Sequence, residues 1–225
     1  MKDLAALYGE LFDLFKNSKW AKDDLAAFKV QVGDNYCKGP LFIGRATNGW
    51  TSFCPVQSNR DDFMQNNSLS YKNKDFSNWV SNNGNDHYKI SRSQFWQDAK
   101  KIFERVCDGN FANEIAYSNL YKIARQGANP TTKQCALQLN VCREILLAEI
   151  TALKPKCIIF IAGYGWAKCF LQELHDVKID TVFDDKIECS GSIAGYPFVV
   201  IHHPQGKTTL AREQAVRQTI EYLKR

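Results

Sequence analysis

The chain has 225 residues, of which 44% are hydrophobic and 12% aromatic, enough to bury a substantial core as one domain and too apolar for a disordered chain. Its formal net charge of +5 is mild and gives only weak support for an anionic partner such as nucleic acid. No apolar run is long enough to cross a bilayer, and the amphipathic, partly acidic start Met1-Lys2-Asp3-Leu4 is unlike a secretory leader, so a cytoplasmic protein without a membrane partner is expected.

In chain order, Leu4, Leu7, Tyr8, Leu11, Leu14 and Phe15 recur at helical spacing behind Asp3, which predicts an amphipathic helix with Asp3 as its N-cap. Residues 20–32 read as a second helix, giving a helical N-terminal extension over residues 1–38 of a single domain spanning 1–225. Leu41-Phe42-Ile43-Gly44 is the first core strand. Its exit loop is Arg45-Ala46-Thr47-Asn48-Gly49-Trp50. Residues 51–90 form a long polar excursion rich in Asn, Ser and Lys that is either functional or hides a short helix. The aromatic residues scattered from Trp50 to Trp79 fit core anchors better than stacking surfaces.

Ser91 or Ser93 caps a helix through Val106, and residues 115–120 form a second strand ending in Ser118 and Asn119. Thr132 caps a long helix through Leu153, one flank of which carries Leu137, Val141, Ile145, Leu146, Glu149 and Ile150. Pro155 stops it. Residues 157–162 are a continuous apolar, largely β-branched run without polar alternation, the pattern of a central strand covered on both faces. A short helix follows over 166–174, then an extended segment over 186–192 and a last strand over 198–201. That strand leads into His202-His203-Pro204-Gln205-Gly206-Lys207, and a final helix starts at Thr208. Four apolar strands separated by helices predict an α/β fold, a three-layer αβα sandwich around a four-stranded parallel sheet. Ligands of such folds bind beyond the carboxyl ends of the strands.

Three exit loops hold polar groups suited to recognition: Arg45 and Asn48, Ser118 and Asn119, His202 and His203. Adjacent strand residues face opposite ways, so one histidine of the pair is expected to face the site. The eight cysteines include no Cys-x-x-Cys pair and there is no His-Glu-x-x-His, so buried free thiols are expected, with no metal and no cofactor. Gly163-Tyr164-Gly165 is no dinucleotide fingerprint, because Lys168 stands where the third glycine belongs. No serine sits in a Gly-x-Ser-x-Gly elbow, which argues against a serine hydrolase.

The order of motifs resembles the uracil-DNA glycosylase superfamily: a strand ending at Gly44 with a polar loop, a strand ending at Asn119, Leu153-Lys154-Pro155-Lys156 leading into an apolar strand and Gly163, and a last strand running into His203-Pro204. The resemblance spans residues 41–224 and implies a DNA-repair glycosidase that flips a damaged base from DNA and hydrolyses its N-glycosidic bond. It implies that Asn48 positions the attacking water and that His203 stabilises charge on the departing base. Asn119 would read the base edge and Phe53 would stack on it, with Gly44 and Arg45 lining the site. The turn formed by Gln205, Gly206, Lys207 and Thr208 would meet the nucleic-acid backbone. The implied partner is DNA, bound by a monomer. Family members usually carry Asp, Asn or Glu where this chain has Arg45 or Ala46, and serine where it has Gln205. The sequence leaves open a catalytically silent module that binds a base, nucleotide or nucleic acid, or an enzyme on a small nucleoside-like metabolite with Arg45 gripping an anionic group.

Overall fold

The structure is a computed structural model that describes residues 3–47, 51–66, 93–174, 176–184 and 187–224. Helix α1 (Leu4–Lys16) begins where the sequence predicts it, with the Asp3 carboxylate accepting from the Ala5 N–H. The helix expected over 20–32 is replaced by two short strands, β1 (Leu25–Ala27) and β2 (Gln31–Val32). Tertiary pairing overrides local propensity there. Strand β1 lies between β4 (Thr51–Phe53) and β6 (Ile123–Arg125) in a small antiparallel sheet, and Leu25, Ala26 and Ala27 are all buried. The N-terminal region is therefore only partly helical. Helix α2 (Arg60–Asn66) lies within the 51–90 excursion, whose residues from 67 onward lie outside the described set, as do Ser91 and Asn48.

The main sheet departs from the predicted four parallel strands. Among the described residues it is mixed and has seven strands, in the order β2, β5 (Ala116–Asn119), β3 (Leu41–Gly44), β7 (Ile158–Phe160), β10 (Tyr196–Ile201), β9 (Ile187–Ile193) and β8 (Val177–Asp184). Within it β5, β3, β7 and β10 pair in parallel. Antiparallel β2 extends one edge, and the β8–β9 hairpin extends the other. The extended segment read over 186–192 is β9. The apolar run over 157–162 supplies β7, the middle strand. Its alternate side chains enter two different cores: Ile158, Phe160 and Ala162 on one face, Cys157, Ile159 and Ile161 on the other.

Helices cover both faces. On the first lie α1, α5 (Thr132–Leu153) and α6 (Tyr164–Leu171), with Leu11, Phe15, Ile145 and Phe170 in the core. On the second lie α3 (Gln94–Val106), α4 (Phe111–Glu114) and α7 (Thr209–Leu223), with Trp96, Ile102, Phe111 and Val216. The cap of α5 is Thr131, one residue before the predicted Thr132: its hydroxyl accepts from the Gln134 N–H, while the Gln134 side chain accepts from the Thr131 N–H. Arg212 of α7 donates to both carboxylate oxygens of buried Asp98 on α3, which locks these two helices together. Among the described residues no helix is long and apolar enough to cross a membrane.

Candidate functional site

The chain runs from β3 to β5 on one side of it and then crosses back to β7 on the other, so the strand order reverses at β3. A crevice at the carboxyl ends is expected there. The exits of β3 and β7 are tied together by Arg45, whose Nε donates to the Ala162 carbonyl at 2.7 Å. Its guanidinium also lies 5.6 Å from the centre of the Trp166 ring. Burial lowers the Arg45 pKa, and the nearby Glu188 carboxylate works against that shift.

On the β5 side, Gly44 and Asn119 are register partners at the ends of adjacent parallel strands. A Cβ at position 44 would stand 2.5 Å from Asn119 Oδ1 and 3.2 Å from the Tyr117 hydroxyl, so glycine is required for the Asn119 side chain to lie where it does. Asn119 is fully buried, its Oδ1 accepts from the Tyr117 hydroxyl at 3.0 Å, and its Nδ2 has no hydrogen-bond partner among the described residues. A buried amide donor without a partner is costly, which marks this position as one that a ligand could satisfy. In the β3 exit loop, the buried Thr47 hydroxyl is likewise without a partner among the described residues.

Strand alternation sends Ser118 to the opposite face from Tyr117 and Asn119. There Ser118 donates to Glu149 at 2.7 Å, and Lys122 Nζ donates to Ser118 and to both Glu149 oxygens at 2.6–3.0 Å. All three residues are fully buried. Ser118 therefore belongs to a buried ion-pair network under the strand. The sequence carried one signal of it: Glu149 falls on an otherwise apolar helix flank, where a carboxylate needs a buried partner.

On the β10 side, His203 is half-buried and His202 is buried. The Gln205 N–H donates to His203 Nδ1 at 3.2 Å, so the neutral ring carries its proton on Nε2. Burial, then the positive charge of Arg45, then His202, bring the His203 pKa down to about 4. The imidazole is neutral at physiological pH and remains a donor through Nε2. Gly163, with φ +82°, opens α6 between these groups. A Cβ there would lie 3.6 Å from Glu188 Oε2, 3.7 Å from an Arg45 guanidinium nitrogen and 3.8 Å from the His203 backbone nitrogen. Glu188 Oε2 also accepts from the Tyr164 N–H at 2.5 Å, capping α6. Sequence reading missed Glu188, because it lies on a hairpin added to the expected sheet.

The structure thus gathers Arg45 and His203 around Gly163, and Gly44 and Asn119 at the neighbouring strand ends. Phe53 is elsewhere. It sits in β4 of the small sheet, 1% exposed, with its ring 4.4 Å from that of Phe12, and its faces are taken up by core packing. The residues after His203 form a tight turn in which Lys207 N–H donates to the Pro204 carbonyl and Gly206 has φ +77°. Gln205, Gly206, Lys207 and Thr208 are all exposed there, and the Thr208 hydroxyl caps α7. Among the described residues no group of three or more His, Cys, Asp or Glu could hold a metal ion. The free cysteines include Cys142 and Cys157, whose thiols are pushed up to about 12 by burial.

No curated protein matches the chain. The family model described as the uracil DNA glycosylase superfamily matches residues 79–224, a span that contains Asn119, Gly163 and the His203-Pro204 loop and starts after the β3 exit loop. With that match over more than half its length, the chain belongs to the uracil DNA glycosylase superfamily.

Proposed function

We propose that the protein is a base-excision glycosylase that hydrolyses the N-glycosidic bond of uracil or a similar damaged base flipped out of DNA. The observation that carries this reading is His203: in a member of this superfamily, the loop after the last parallel strand holds a neutral imidazole whose proton is on Nε2 and which lies beside a cation. When the bond between C1′ and the base nitrogen breaks, the bonding electrons leave with the base. A preorganised N–H donor at the base oxygen stabilises the resulting anion without giving up its proton. The Arg45 charge adds to that stabilisation. Water, which we assign Asn48 to hold, adds to C1′ as hydroxyl, and the proton it releases ends on the base nitrogen that left with the bonding electrons. Asn119 donates to the base edge. The exposed turn at Gln205, Gly206, Lys207 and Thr208 meets the DNA backbone through N–H groups and the Lys207 ammonium. The parallel strands β5, β3, β7 and β10, between helical layers, are the frame of this chemistry.

A second reading, a non-catalytic module that binds a base or nucleic acid, is favoured by the β3 exit loop. Arg45, engaged by Ala162, and buried Ala46 stand there, and neither side chain is a carboxylate that could activate a water. Incubation with uracil-, hypoxanthine- and mismatch-containing oligonucleotides separates the two. The glycosylase reading predicts abasic product from at least one of them and a drop of roughly 10²- to 10³-fold in His203→Ala. Saturable, salt-sensitive binding with no abasic product from any substrate would replace it with the binding module.

A further inference from the structure

Glu188 is the extra residue of a β-bulge. Val200 of β10 pairs with Cys189 of β9, but the next residue, Ile201, pairs with Ile187, so Glu188 has no pairing partner in β10. A bulge re-aims its side chain, and bulges are common beside active sites. This one lies at the carboxyl end of β10, just before the His203 loop. From there the carboxylate reaches Gly163, where Oε2 accepts from the Tyr164 N–H at the start of α6. A point one Cβ out from Gly163 has Glu188 Oε2, an Arg45 guanidinium nitrogen and the His203 backbone nitrogen as its nearest heavy atoms, at 3.6–3.8 Å. A proton acceptor and a cation thus converge where glycine contributes no side chain.

Hydrolysis needs a group that takes up the proton of the attacking water, and the other residues assigned to this site cannot. Arg45 is a cation, and Asn48 and Asn119 are amides. His203 has its Nδ1 lone pair committed to the Gln205 N–H and its proton on Nε2. We propose that Glu188 is a further catalytic residue, the carboxylate that takes a proton from the water attacking C1′. The inference rests on the glycosylase reading of the site. The water oxygen bonds to C1′ as the bond from C1′ to the base nitrogen breaks, and the bonding electrons leave with the base. One water proton passes to the Glu188 carboxylate and from it to the base nitrogen, which restores the carboxylate for the next turnover. Until then its negative charge stabilises the positive charge that develops on the sugar. Strand β9 thereby supplies the carboxylate that the β3 exit loop, with Arg45 and Ala46, does not.

Glu188→Gln separates this role from the capping of α6, because glutamine keeps an acceptor for the Tyr164 N–H and loses only the base. The substrate is whichever of the uracil, hypoxanthine or mismatch oligonucleotides the wild-type protein converts. Single-turnover excision should fall roughly 10²- to 10⁴-fold in Glu188→Gln, with oligonucleotide affinity kept within about threefold. A rate within about threefold of wild type, or parallel losses of rate and affinity, overturns the proposal. Glu188→Ala provides a second arm. Added formate should restore its excision, whereas formamide, which can accept from the Tyr164 N–H but takes up no proton, should not. An equal effect of the two additives would leave Glu188 as a helix cap only. If the wild-type protein releases no base from any of the three substrates, the glycosylase reading fails and this inference fails with it. Wild-type excision that survives in Glu188→Gln sinks the role of Glu188 alone.

Discussion

The two ends of the candidate site are held by different physics. Around Asn119 everything is buried: Gly44 gives the amide room, the Tyr117 hydroxyl donates to its oxygen, and the strand's other face rests on the Lys122–Glu149–Ser118 network. Around His203 the groups are half-exposed, with the charged Arg45 and Glu188 both close to Gly163 and one backbone N–H setting the tautomer. The first end is built by packing and hydrogen bonds, which discriminate between shapes and between donors and acceptors. The second is built by charge, which suits a group that must stay neutral while an anion forms beside it. Under the proposed glycosylase reading, recognition and chemistry would depend on separate sets of residues and should fail separately.

The largest effect should come from beneath the Asn119 end. Lys122→Met leaves Glu149 buried without its cation and should cost about 3–5 kcal/mol in urea unfolding, whereas Lys122→Met with Glu149→Leu should recover most of that loss. If the double variant is as unstable as the single one, the network is not held by its charge pair. Next in size is Gly44→Ala. Its Cβ would meet Asn119 Oδ1 at 2.5 Å, and the displaced amide should cost about 1–3 kcal/mol of stability, measured by thermal melting, together with base binding. His203 should be untouched, with an unchanged imidazole titration.

The His203 end should respond to pH instead. Its folded pKa, about 4, lies below the ordinary 6.5, so the unfolded chain binds a proton more readily. The stability contributed by the neutral ring is present above pH 6.5 and is lost as pH falls from there through about 4. Unfolding measured across that window should lose this part of its slope in His203→Gln. Arg45→Met should raise the His203 pKa toward its ordinary value, though only in part, because burial is the larger cause. Smallest of all, Glu188→Gln should weaken the cap on α6 by about 0.3–1 kcal/mol and leave uracil binding at the Asn119 end alone. A change in uracil affinity would break the separation of the two ends.

Much of this arrangement was legible in the sequence, for reasons that can be located. The unbroken apolar run at 157–162 could only be a strand covered on both faces, and it became the middle strand β7. Strand ends rich in polar residues pointed to Asn119 and His203. What escaped was short or non-local. Strands β1 and β2, of three and two residues, are too brief to carry periodicity, and their pairing partners lie far along the chain. Strand β8 does alternate apolar and polar residues from Val177 to Asp180, but it is an edge strand, with Ile179 and Val182 exposed, and its signal is weak. Glu188 entered the site only through the hairpin that β8 makes with β9. The pairing of Tyr117 with Asn119 follows from strand alternation, yet the cage that immobilises Tyr117 comes from Phe28, Phe95 and Trp96, which no local pattern connects to it.

The central claim is that these two ends act on one bound base. It is tested most directly by following the Asn119 side-chain amide and the His203 imidazole in a single NMR titration of the wild-type protein with free uracil. Both signals should move with the same midpoint concentration, and His203 should remain neutral throughout at pH 7. Movement of one signal without the other, or two distinct midpoints, would contradict the account.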